Sequence, residues 1–521
     1  MSYLLAIDGG TGSVRAVLFD LKGTQVAAAA RDWQHDADPR YPGSMDFVFD
    51  RNWQLITECV REVLDRAQAS GDQVLALSTT AMREGIVLVD AQGKEVWACA
   101  NVDARSEAQV AALARSGVEQ QVYRKSGQTF ALSSQPRLRW LKENEPELYE
   151  RAATMLMLND WIVYRFSGEL STEPSNGSTT GMINLTTEEF APELAELCGI
   201  RSDFGAPVVA PGTQVGGVTA AAAAETGLRP GTPVVVGGGD AQLAAVALGV
   251  VRPYQALIVG GTFWQQEINI PQPITDDEMR VRVNCAASPE LWQAEAIVFH
   301  PGTTVRWFRD AFYGAEVEQA RVTGADVYDL MTAEAAQVPI GSNGIIPIFS
   351  DVMNYGRWFH AAPSFLNLSL DPALANRGAM FRSVLENAAL VAAANLREVE
   401  RFSQVSPSEV VFAGGAARSD VWSQILADVL GKPVKIPVVS EATALGAALC
   451  AGVGIGELST VADAGEELVQ WDRTIEPDSA ATEQYQEIYE RWQKAYPPQL
   501  ELVQTGVTTS LWRAPGTQEE E

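Results

Sequence analysis

The sequence predicts an α/β protein built from two related halves, with ligands held in a cleft between them. Three observations carry that expectation. Apolar strands end in glycine turns that lead straight into amphipathic helices, as in "VVVGGGDAQLAAVALG" and "VVFAGGAARSDVWSQILADVLG". A strand–Gly-Gly-Thr–strand hairpin occurs twice, at residues 9–11 and 260–262, each time ahead of one of those units. A length of 521 residues also exceeds what one core of ordinary size accommodates.

In chain order, "YLLAIDGG", "TGSVRAVLFD" and "GTQVAAAARD" alternate apolar residues between tight turns and read as a three-stranded meander. Residues 51–69 place Trp53, Ile56, Val60, Val63 and Leu64 on one helix face, and the apolar "QVLALSTT" that follows reads as a buried strand, the grammar of a βαβ unit. The strand–turn–helix at 234–249 ends the first half. The stretch "VRPYQA", starting at Val251, is the expected boundary between domains 1–250 and 251–521. The second half opens on "ALIVGGTFWQQEINI", whose hairpin sets Val259 opposite Asp8 of the first. Residues 376–402 contain no proline and repeat Phe381, Val384, Leu385, Ala388, Val391, Leu396 and Val399 at helical spacing, which predicts a long core helix. The terminal "GTQEEE" reads as a short solvated tail.

Composition narrows the function. A formal net charge of -28 repels a phosphate backbone, and no Lys/Arg cluster offsets it, which argues against nucleic-acid binding. Anionic ligands must then be held by backbone N–H groups, helix N-termini and a metal ion. No apolar stretch reaches the roughly 18 residues of a membrane span. "MSYLLAIDGG" lacks a basic start and carries Asp8 where a signal peptide would stay apolar, so a cytoplasmic chain without a membrane partner is expected. Five scattered cysteines without C-x-x-C spacing disfavour disulfides and zinc. Of the three histidines none lies near a Ser or Cys motif, so a general base is expected to be a carboxylate.

In "DGGTGSVRA" the glycines bring the backbone close to a ligand and aim successive N–H groups at phosphate oxygens, with Thr11 and Ser13 hydroxyls as further donors. The alternative is an ordinary tight turn. Asp8 beside it would repel phosphate unless Mg²⁺ lay between them. "VGGTFW" repeats the amides without an acid, and the pair suits a nucleoside triphosphate with one metal ion. No G-x-x-x-x-G-K-[ST] sequence is present, and "GVGIG" follows a helix rather than a strand, so P-loop and Rossmann readings fail. "FAGGAARSD" suits the nucleoside end, because glycines let a flat base lie against the backbone, or is a plain βα turn. In "TTAMREGIV", Arg83 and Glu84 point to opposite faces in extended chain, so a shared grip on a polyol needs a bend, for which Gly85 is available; the alternative is an exposed ion pair. Asp240, after three glycines, stands where a helix cap or a general base belongs. Cys99 reads as core, Trp264 as a cleft wall or hairpin packing, His300 as capping or packing, and Asp103 with Arg105 as pocket lining or a structural ion pair.

Together "DGGTGSVRAVLFD", "MREG", "SSQPRLRWLKEN", "DWIVYRFSGE", "GGGD", "GGTFW" and "EATALGAALCAG" resemble, in order along most of the chain, the FGGY carbohydrate kinases of the actin-like ATPase superfamily. The resemblance implies two actin-like (ribonuclease H-like) α/β domains with an interdomain cleft. The first would carry the substrate site and first phosphate loop, the second the other phosphate loop and the adenosine site. It implies ATP and Mg²⁺ as cofactors and phosphorylation of a primary hydroxyl on a small polyol. Residue by residue, Asp8 resembles the magnesium-organising acid, while Gly10, Thr11, Gly12 and Ser13 resemble the first phosphate loop and Gly261 and Thr262 the second. Gly414, Gly415, Ala416 and Ser419 resemble the adenosine motif. Arg83 and Glu84 resemble the pair that holds substrate hydroxyls, and Asp240 the general base.

Three departures stand out: Arg137 replaces the usual lysine; Ala241 replaces a glutamine, so that substrate contact is either lost or moved to Gln242; and "TFALSSQ" lacks the tyrosine of glycerol kinases. "AMREGIVLVD", "PSNGSTTG" and "GGTFWQQ" resemble a branch of the family whose substrate is a linear quorum-sensing molecule, dihydroxypentanedione, phosphorylated at its terminal hydroxyl. That branch implies the phosphocarrier protein of the sugar phosphotransferase system as a partner. The competing expectations are a xylulose or erythritol kinase, and a nucleotide-binding sensor that transfers nothing; the presence of both Asp8 and Asp240 argues against the sensor.

Overall fold

The computed structural model describes residues 1–355, 359–438, 441–514 and 516. Apart from Gly516, the expected acidic tail lies outside them. The chain divides into two compact units. The first comprises 1–253, 269–293 and 439–469, and the second 254–268, 294–438 and 470–521. A single cut at 250/251 treats each half as continuous, whereas the structure counts two segments of the C-terminal half with the first unit.

The first unit is organised on a six-stranded sheet in the order Gln214–Gly217, Pro233–Gly239, Val74–Ala81, Tyr3–Gly9, Ser13–Phe19, Gln25–Asp32. The last three are the meander, paired antiparallel, with turns at the glycine hairpin and at Gly23. Tyr3–Gly9, Val74–Ala81 and Pro233–Gly239 run parallel, so all seven residues of Tyr3–Gly9 are buried, as expected of a strand covered on both faces. Helix Phe49–Ala67 packs Trp53, Ile56, Val60, Val63 and Leu64 into one core with the sheet. A second core forms around the three-stranded sheet of Ile86–Asp90, Glu95–Cys99 and Ala152–Met157.

On a third side, the small residues of helix Ala442–Gly454 meet helix Asp240–Ala247 and strand Tyr3–Gly9. Gly446 permits that approach, because a Cβ there would overlap the Leu243 carbonyl.

The second unit repeats the pairing pattern. Strand Ala256–Gly260 pairs antiparallel with Trp264–Ile270 across the second hairpin and parallel with Val410–Ala413. Val410–Ala413 pairs parallel with Val434–Pro437, and antiparallel Trp471–Ile475 follows. This is the same hairpin–parallel–parallel–antiparallel succession as in the first unit. Helix Arg377–Ser403 is the expected long core helix, with Asn376 as its N-cap accepting from the Ala379 N–H at 3.0 Å. Among the described residues no helix is long and apolar enough to cross a membrane.

Candidate active site

In the first unit the expected functional groups converge because three parallel strands end level with one another. Asp8 is in register with Thr80, and Thr80 with Gly238. Beyond that level the chains deliver the glycine hairpin, Arg83 with Glu84, and Asp240. Ligand groups at the carboxyl ends of parallel strands are the general expectation for such sheets.

Asp8 is buried, and burial raises its pKa, opposed by the Thr443 hydroxyl that donates to Oδ2 at 2.7 Å and by Arg15. The hairpin after it is exposed at Thr11 and Gly12. Its carbonyls are tied back: the Trp33 indole N–H donates to Gly10 O at 2.9 Å and Thr11 O at 3.2 Å, and His35 Nε2 lies 2.7 Å from Thr11 O. Asn101 Nδ2 donates to Thr11 Oγ1 at 3.1 Å. With the acceptors of the loop thus engaged, its amides and Ser13 remain the groups suited to an anion. Trp33, His35 and Asn101 carry no local motif.

Asp240 is the first residue of helix Asp240–Ala247 rather than its cap; extended Gly239 holds the N-cap position. Its Oδ1 nonetheless accepts from the Ala241 N–H at 2.8 Å, satisfying one otherwise unpaired helix donor. The side chain sits deep among protein atoms yet keeps 36% of its surface open. Desolvation pushes its pKa up to about 6, against Arg83 and the Ala241 N–H, while Asp8 and Glu84 add to the rise. Arg83 Nε lies 3.9 Å from Asp240 Oδ1. Gln242, 1% exposed, packs against Gly239, and neither of its side-chain polar atoms has a hydrogen-bond partner among the described residues.

Arg83 and Glu84 are both buried, not an exposed pair. The expected bend is present, but at Glu84 itself (φ 63°) and not at Gly85, whose N–H closes the turn onto Arg83 O at 2.8 Å. A non-glycine residue adopts that conformation only where its surroundings impose it. Arg137 does so: its guanidinium grips the Glu84 carbonyl and donates to Asn101 O at 2.7 Å, a fork that a lysine cannot reproduce.

The Glu84 carboxylate meets Arg282 Nη1 at 2.7 Å. Burial alone would raise its pKa, but Arg282, Arg83 and Arg137 together hold it below the usual range. Arg282 Nε donates to Gln128 Oε1 at 2.5 Å, and Gln128 Nε2 donates to Val283 O at 2.8 Å and Asn284 Oδ1 at 3.1 Å. A buried brace holds the turn before Asp240: Glu173 accepts from Ser175 N and Asn176 N at 2.6 and 2.7 Å, and Ser175 Oγ accepts from Gly239 N at 3.1 Å. Burial pushes Glu173 up to about 7, and its neighbour Asp160 is raised too.

In the second unit, Gly414 has φ 90° and a Cβ there would strike the Gly260 carbonyl, so glycine lets the "AGGAAR" turn lie close against the second hairpin. Gly414 and Gly415 are exposed and Ala416 is buried. Ser419 caps helix Asp420–Leu430, accepting from Trp422 N at 3.2 Å. Gly261 donates to Phe263 O at 3.0 Å within the Gly261–Thr262 turn. Trp264 is hairpin packing, fully buried between Phe412 and Trp422. His300 precedes helix Pro301–Phe312 in a left-handed conformation without a side-chain cap.

In the first unit, Cys99 is core, its thiol pushed up to about 12 by burial. Arg105 pairs with Asp103 and Asp46 between the rings of Trp97 and Trp140, a structural ion pair, and Arg105 and Asp46 also line a cavity with Tyr41 and Glu145.

Magnesium fits Asp8. The acid is a hard oxygen donor whose burial leaves negative charge short of compensation, it adjoins anion-suited amides, and Mg²⁺ takes only one or two carboxylates while keeping water and phosphate oxygens. Among the described residues no group of three His, Cys, Asp or Glu side chains forms an all-protein metal cage.

Residues 3–247 match the model of the FGGY family of carbohydrate kinases, N-terminal domain, and residues 261–455 that of the C-terminal domain. The chain is 51% identical over 517 residues to the autoinducer-2 kinase of Escherichia coli (strain K12), covering 99% of this chain and 98% of that protein. The same figures hold for the autoinducer-2 kinase of Yersinia enterocolitica serotype O:8 / biotype 1B. Among solved structures, xylulose kinase from Rhodospirillum rubrum superposes with a TM-score of 0.84 at 25% identity, over 96% of this chain and 99% of that one.

Proposed function

The chain belongs to the FGGY family of carbohydrate kinases, and on that premise we propose that it transfers the γ-phosphoryl group of ATP to the terminal hydroxyl of autoinducer-2 in its linear dihydroxypentanedione form. Asp240 is the observation that carries the chemistry: a carboxylate at a helix start, open on one side, with a raised pKa and Arg83 at 3.9 Å. The acceptor is supported by the 51% identity to autoinducer-2 kinases over nearly the whole chain.

Phosphoryl transfer asks a protein chiefly for positioning and charge neutralisation. Arg83 and Glu84 orient the acceptor hydroxyls. Asp240 takes the proton of the terminal hydroxyl as its oxygen attacks the γ-phosphorus in line; the new P–O bond forms as the bond to the ADP oxygen breaks. The amides of Gly10, Thr11, Gly12 and Ser13 hold phosphate oxygens in the first unit, and the Gly261–Thr262 turn does so in the second through the Thr262 amide, since the Gly261 N–H stays with Phe263 O. Gly414, Gly415, Ala416 and Ser419 receive the adenosine. Bound Mg²⁺ would be held through Asp8 and would neutralise phosphate charge. An ATP-consuming reaction supports the expected cytoplasmic location. Nothing in the matched relatives supports the expected phosphocarrier partner, and the proposed chemistry does not require one.

The test is ADP release from Mg-ATP with dihydroxypentanedione, xylulose, erythritol and glycerol as acceptors. The dione is expected to be the best. Asp240→Asn is expected to lower kcat by about 10²- to 10⁴-fold while acceptor binding persists. Better turnover of an ordinary sugar overturns the acceptor, and wild-type turnover by the variant overturns the base.

A further inference from the structure

The polar groups of the first unit form one buried chain that changes character along its length. At one end stands the Glu84 carboxylate, an acceptor suited to substrate hydroxyls, with the partly exposed carboxylate of Asp240 within its electrostatic reach. Beyond Glu84 the chain continues through Arg282 (2.7 Å), Gln128 (2.5 Å) and Asn284 (3.1 Å). Arg282 is a donor only, and Gln128 accepts from it and donates onward. Asn284 is fully buried; its Oδ1 is used by Gln128, and its Nδ2 has no hydrogen-bond partner among the described residues. A buried amide nitrogen left unpaired costs about 1–3 kcal/mol, so such a group points to a ligand oxygen that accepts. The Asn284 end of the chain thus offers donors where the Glu84 end offers acceptors.

We propose that Arg282 and Asn284 determine acceptor selectivity, presenting N–H groups to carbonyl oxygens on the part of the acceptor remote from the hydroxyl that is phosphorylated. A carbonyl accepts without needing to donate, whereas a hydroxyl there must turn its hydrogen away from both. This rests on the kinase reading above and adds the residues that read the non-reacting end. The segment carrying them, 269–293, comes from the C-terminal half of the sequence but counts with the first unit.

The readout is a ratio: kcat/KM for dihydroxypentanedione over kcat/KM for xylitol, a five-carbon acceptor with hydroxyls only, from ADP release by the full chain. Asn284→Asp keeps the shape and Oδ1 but exchanges the donor for an acceptor; Arg282→Lys keeps the charge beside Glu84 but loses the fork. Each is expected to lower the ratio at least about tenfold, mainly through KM for the dione, with Tm within a few degrees of wild type. A high wild-type ratio that survives in both variants overturns this inference alone, as does an equal loss on both acceptors. A wild-type ratio near one overturns the acceptor assignment and the inference with it.

Discussion

At the residue scale, the proposed base Asp240 would set function against stability. Desolvation pushes its pKa up to about 6, so the folded chain binds that proton more tightly than the unfolded chain does. Its share of stability is therefore present below the ordinary carboxylate range and is lost as pH rises through about 6, which is where the ionised base becomes available. Two outcomes follow. The kcat/KM should rise with pH through about 6 and then level off, as for a base that must be deprotonated. Asp240→Asn should raise Tm at pH 7.5 while removing turnover, measured by thermal unfolding beside the ADP assay; a lower Tm would show that the carboxylate is not a destabilising group. Asp8 and Asp240 were legible in the sequence because strand ends and glycine turns are local patterns. Arg282, Gln128 and Asn284 were not, because their contacts span more than 150 residues and no spacing rule joins them.

At the scale of elements, the strand–turn–helix units and the meander follow from periodicity and agree with the structure. The bend at Glu84 was expected one residue late, since sequence reasoning assigns a left-handed conformation to glycine and could not see Arg137 holding the Glu84 carbonyl. Packing of helix on helix was equally hidden. Helix Ala442–Gly454 carries Thr443, the partner of Asp8, and its Gly446 lies against the Leu243 carbonyl of the helix that Asp240 begins. Gly446→Ala has no flexible side chain to displace, only backbone, so the two helices must part. A cost of about 1–3 kcal/mol is expected, as for overpacking, visible as a lower Tm. Because Asp240 begins one of those helices and the other carries Thr443, the partner of Asp8, kcat should fall too. An unchanged kcat in a destabilised variant would show that the helix spacing does not position the acids.

At the scale of the whole molecule, both units repeat one pairing succession, yet the chain does not divide by a single cut, because 269–293 and 439–469 return to the first unit. Length and composition cannot reveal such returns, which are decided by long-range packing. Charge was legible. With a net charge of -28, the protein repels itself and repels ATP at a distance, so in the proposed reading nucleotide binding rests on short-range amides, in loops whose carbonyls are tied back by Trp33 and His35, and on a metal ion. Raising NaCl from about 10 mM to about 100 mM shortens the screening length from about 30 Å to about 10 Å. Self-repulsion should weaken and Tm should rise. KM for Mg-ATP should stay level or fall over the same range, since screening removes a repulsion and leaves the contacts in place. Proteins that draw in polyanions by a positive field behave in the opposite way, losing affinity steeply with salt. A steep rise in KM would mean that a basic surface, and not the glycine hairpins, gathers the nucleotide.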